Sequence, residues 1–118
     1  MNDNPATPSA VYVGKLLDRL IKGLDGPSEP ERAIGLLSAL VGSRCETTAD
    51  LLALVAHGND LVRQACLLLE DEDMPIDQGE VSRFLLWSIL INARVLDALE
   101  GATGLPASGF LGTGPTIN

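Results

Sequence analysis

The residues best placed for chemistry in this 118-residue chain are acidic. Glu70, Asp71, Glu72 and Asp73 stand in a row, and Asp77 and Glu80 follow closely. Clustered carboxylates suit a hard divalent cation, but an EF-hand register begun at Asp71 fails. It puts Pro75 and Ile76 where a ligand and the turn glycine belong, and Ser82 where the bidentate glutamate belongs. The remaining readings are a solvated corner between helices and an acidic surface for a basic partner, formed by Glu70, Asp71, Glu72 and Asp73.

Nucleophilic chemistry fares no better. His57 is the single histidine and Cys45 and Cys66 are the two thiols. Neither spacing sets a thiol beside the imidazole, and one histidine with two distant cysteines falls short of a zinc pattern. Asp97 and Glu100 form a carboxylate pair on a final helical turn, where nothing marks either as an acid or a base. The glycines of 101–114 follow a helix and do not open one, so they do not read as a phosphate loop. No catalytic residue, metal site or cofactor is expected.

The remaining constellation belongs to recognition. Arg83, Trp87, Leu90, Arg94 and Asp97 fall on one narrow stripe at helical spacing. Arg83 and Trp87 are spaced for a cation–π contact, and Arg94 and Asp97 for an ion pair. Arginine and tryptophan are enriched at binding hot spots, so this stripe is the expected partner-binding surface, including for a second copy of the chain. The competing reading makes Trp87 a core residue with arginines at its rim.

These residues need helices to position them, and the pattern supplies helices throughout. The expected fold is all-α: a compact bundle of about five helices, with a long central C-terminal helix over about 78–100 and an irregular Gly/Pro tail. Residues 1–8 read as a flexible arm, 9–101 as the helical domain and 102–118 as the Gly-rich tail. Ser9 caps a first helix over about 10–24, and Ser28 with Glu31 forms a capping box for a second over about 29–41. Thr47 or Thr48 starts a third, which His57 and Gly58 end by cation and glycine preference. Asn59 then caps a fourth over about 60–70. Pro75 separates it from the fifth, which Asp77 caps with Glu80 three residues on. The fifth helix is apolar nearly all round, which predicts packing on several sides. No internal repeat or heptad run is evident. In the tail, Phe110, Leu111 and Ile117 are apolar residues among glycines, suited to docking if ordered.

Bulk properties narrow the function. The net charge is −8 and aromatic residues make up 3% of the chain, namely Tyr12, Phe84, Trp87 and Phe110. An acidic surface repels phosphate backbones, so nucleic acid is an unfavourable partner. The turn "HGND" resembles a helix-turn-helix connection, yet the helix after it runs into four acids. The longest apolar stretch, residues 84–91, is far short of the roughly 20 residues that span a bilayer, so no membrane contact is expected. The opening MNDNPATPS does not read as a secretory leader, and a cytoplasmic location with reduced thiols is expected.

The leading expectation is a non-catalytic helical interaction protein, an adaptor or regulator that self-associates. An acidic inhibitor of antitoxin or immunity type is a variant of it. The alternatives are a ligand-binding or enzymatic bundle whose pocket uses His57, Arg83, Asn92 and Arg94, and a structural subunit of a larger assembly.

Overall fold

The computed structural model describes residues 7–24, 26, 30–73 and 75–111; for Phe110 and Leu111 this covers the backbone only. Ser28 and Ile117, named above, lie outside the described residues, as do the side chains of Phe110 and Leu111. Among the described residues there are four substantial helices: α1 (Ala10–Ile21), α2 (Pro30–Val41), α3 (Thr48–Glu70) and α4 (Gln78–Thr103). A single turn, α5 (Ser108–Leu111), follows. No strand occurs among the described residues. One isolated parallel bridge joins Ser9 to Arg44, and no described helix is long and apolar enough to cross a membrane.

Local chemistry sets most helix ends. The Ser9 hydroxyl accepts from the Tyr12 amide at 3.2 Å and starts α1. Gly23 at φ +73° stops it, with Gly23 and Leu24 donating back to the Leu20 and Arg19 carbonyls. This left-handed cap at Gly23 makes α1 shorter than the 10–24 that the spacing predicts. Asp77 caps α4 through the Glu80 amide at 3.0 Å. At the other end α4 passes Gly101 and stops at Gly104, also at φ +73°.

Two expectations are corrected. The third and fourth helices are one: α3 runs unbroken through His57, Gly58 and Asn59. His57 is a mid-helix residue whose Nε2 donates to the Gly14 carbonyl of α1 at 3.1 Å. Gly58 is not a left-handed cap. A Cβ there would sit 3.4 Å from Ile91 Cγ2, an ordinary contact, so the position faces α4 without requiring glycine. At Gly14 of α1 the approach is closer, and a Cβ would lie 3.3 Å from His57 Nε2. Tertiary packing around residue 57 thus overrides the local stop signal. With the turn gone, the helix-turn-helix resemblance lapses.

The second correction concerns α4. It packs on α3 along its length and more lightly on α2. Only Val81, Ser88, Ile91 and Val95 are buried on it. It is therefore not a central helix surrounded on several sides. The core lies between α1, α2 and the inner faces of α3 and α4, with Val13, Leu20, Leu40, Leu54 and Ile91 at 2% exposure or less. The molecule measures 44 × 43 × 19 Å, a flat slab.

Candidate interaction surface

Asp50 organises the end of the slab where α1 and α3 begin. It is 4% exposed. Its Oδ1 accepts from the Val11 amide at 3.1 Å, and its Oδ2 from the Glu46 and Thr47 amides at 3.0 and 3.1 Å. Thr47 Oγ1 accepts from the Asp50 amide in return, completing a capping box. Burial alone would raise the Asp50 carboxyl, but the backbone donors outweigh it and hold the group below the usual aspartate value. Sequence reasoning left the cap open between Thr47 and Thr48 and missed Asp50; the structure puts the cap at Thr47, and the Thr-x-x-Asp spacing is the signal that distinguishes them.

The Arg83–Asp97 stripe is divided between structural and exposed roles. Trp87 is half-buried and packs against the core. Arg94 Nε and Nη2 donate to the Ser43 carbonyl at 3.3 and 3.1 Å, tying α4 to the end of α2, while its Nη1 pairs with Asp97 at 3.3 Å. Arg83, Leu90 and Asp97 are exposed. Glu70, Asp71, Glu72 and Asp73 are also exposed at the α3–α4 corner, where Asp71 accepts from the Asp73 amide. The thiols offer little chemistry. Burial pushes Cys45 up against the opposing pull of Arg94, and both cysteines are free.

The fusion of α3 exposes a pattern that an interrupted helix conceals. Leu52, Val55, Asn59, Val62, Cys66 and Leu69 recur at alternating steps of three and four residues, and all six are exposed. On α4 the same spacing links Ser82, Leu85, Ile89, Asn92, Leu96 and Leu99, again all exposed. Leu52 and Ile89 reach 63% exposure each. Alternating three-four spacing is the seam that helices use to pack side by side.

No family model, curated protein or solved structure matches this chain.

The two seams share one face. On α3, His57 and Ala53 lie toward α1 and Gly58 toward α4. The helical wheel places the seam beyond α4 and away from α1. On α4, Arg94 reaches toward α2 and Ile91 toward α3, and its seam again comes next around the helix. Both seams therefore lie on the side turned away from α1 and α2. Neither contains a charged residue. Each has one asparagine, and these are level: α3 and α4 are antiparallel with Gly58 facing Ile91, so Asn59 and Asn92 differ in height by about 3 Å. The face is thus a two-helix apolar surface with one polar layer near its middle.

Proposed function

We propose that the protein is a non-catalytic helical interaction module, an adaptor or regulator, that binds protein through the α3–α4 face. The observation that carries this reading is the pair of exposed three-four seams. Each is apolar apart from one asparagine, together with Cys66 on α3 and Ser82 on α4. Isolated exposed apolar residues are ordinary on a protein surface, but two contiguous stripes side by side mark an interaction site. The acidic corner at Glu70–Asp73 adds a second, electrostatic element suited to steering a basic surface. A reducing compartment such as the cytoplasm fits the two free thiols.

The test compares capture of proteins from the native source by the wild type, by Ile89→Glu and by Tyr12→Glu. Tyr12 is apolar and 57% exposed, but lies on α1 away from the face. A partner held by the wild type and by Tyr12→Glu, and lost with Ile89→Glu, supports the reading. Identical capture by all three refutes it.

A ligand-binding bundle is the second reading, favoured by one observation. A cleft of about 300 Å³ is lined by Leu17, Leu37, Leu61 and Phe84 together with His57, Asp60 and Gln64. Of the polar groups expected in such a pocket, His57 lines it, whereas Arg94 is tied to Ser43 and Asn92 sits on the α4 seam. Saturable binding of a small apolar probe, abolished by Ala33→Trp in the cleft wall, supports this reading. Absence of binding ends it.

A further inference from the structure

We infer that the occupant of the α3–α4 face is a second copy of this chain, related by a two-fold axis that lies in the face, crosses α3 and α4 at right angles and passes through the Asn59–Asn92 layer. This rests on the reading of that face as an interaction surface and specifies its partner and geometry.

Three observations support a second copy. First, the face is self-complementary. The rotation maps Asn59 and Asn92 onto their own level, so polar layer meets polar layer and apolar layers meet apolar layers on both sides. A closed two-fold interface requires this match of a patch with itself. A polar residue within an otherwise apolar seam also fixes register, because any slip leaves its amide against hydrocarbon.

Second, the size suffices. Seams of about 26 Å on two neighbouring helices, each about 10 Å wide, give a face of roughly 500 Å² per copy, or about 1,000 Å² in all, which reaches the threshold of a specific interface.

Third, charge selects among the symmetric arrangements. Glu70, Asp71, Glu72, Asp73, Asp77 and Glu80 gather at one end of the α3–α4 pair. A two-fold parallel to the helices would bring both acidic ends together. The two-fold at right angles sends them to opposite ends of the dimer, and the interface between them is uncharged.

In this arrangement α3 lies antiparallel on α3 of the second copy. Leu52, seven residues before Asn59, then faces Cys66 of the other chain, seven residues after it. Within one chain these positions are about 21 Å apart, far beyond disulfide reach. The rejected arrangement instead sets Cys66 against Ser82 of the other chain.

The experiment is sedimentation equilibrium of the purified wild-type protein, followed by mild oxidation of Leu52→Cys and, separately, Ser82→Cys. The expected result is a mass twice the 12.4 kDa chain, a covalent dimer from Leu52→Cys and none from Ser82→Cys. Ile89→Glu should raise the dissociation constant by at least about 100-fold. A covalent dimer from Ser82→Cys alone overturns the proposed axis. A wild type that is monomeric at every concentration overturns the second copy as occupant. The interaction reading then still stands or falls on the capture experiment.

Discussion

Replacing Asp50 by asparagine perturbs the folded state at its most connected polar group. The carboxylate accepts three backbone N–H groups from Val11, Glu46 and Thr47, and so joins the starts of α1 and α3. An asparagine keeps one acceptor oxygen and turns an NH₂ toward the remaining donors. Its best orientation keeps the Glu46 and Thr47 amides, now bound to a neutral acceptor, and leaves the Val11 amide facing another donor. Losing one charge-assisted bond costs about 1.5–3 kcal/mol, and weakening two more adds on the order of 1 kcal/mol. The expected loss is therefore about 2.5–4 kcal/mol, a large part of the ~5–15 kcal/mol that holds a domain folded. Urea denaturation followed by circular dichroism at pH 7 measures it. The pH dependence supplies a second check. The folded Asp50 titrates below its usual value, so its stabilisation is complete above the ~3.9 of an unfolded aspartate and is lost as pH falls through the folded value. The gap between wild type and variant should narrow in that acid range. A variant within about 0.5 kcal/mol of wild type at pH 7, or a gap that stays constant into acid, would refute the reasoning.

Three other outcomes follow from the same geometry. Gly58→Ala should leave stability unchanged or raise it by up to about 1 kcal/mol in thermal melts, because the residue is inside a helix and the added Cβ meets Ile91 at ordinary contact. A loss of more than about 1 kcal/mol would restore the helix break at 57–59. Asn59→Leu should strengthen self-association in sedimentation while broadening it to more than one assembly, since the register-fixing layer is gone; a weaker, still uniform dimer would contradict this. Raising salt should tighten self-association, because chains of net charge −8 repel and the contact is apolar; a marked weakening would point to ionic contacts across the interface instead.

The helical class was legible because apolar spacing and caps agree along most of the chain. Ser9 and Asp77 act as hydrogen-bonded caps where their residue types suggest. What misled was the dipeptide His57–Gly58, whose local chemistry spells a helix end. Its real roles are tertiary: His57 bonds Gly14 across the bundle, and Gly58 faces Ile91 of α4. No local rule carries that information. The same misreading hid the α3 seam, since Leu52 to Leu69 forms a continuous run only when the helix does not stop. On α4 the Trp87–Arg94 stripe attracted notice by residue type, yet Trp87 packs on the core and Arg94 clamps Ser43. Arg83, Leu90 and Asp97 of that stripe are open to solvent, and so are the plainer Leu85, Ile89 and Leu96. A helix apolar all round signalled contacts on several sides; the single chain supplies them from α3 and, more lightly, α2, and leaves the seam side open.

The most direct test of a covered α3–α4 face uses the native thiol within it. Cys66 is exposed in the single chain and sits on the α3 seam. Its rate of labelling by a water-soluble maleimide should be slow at high protein concentration, rise on dilution and be fast at all concentrations in Ile89→Glu. Fast labelling of the wild type, independent of concentration and equal to that of Ile89→Glu, would mean that no second copy covers the face.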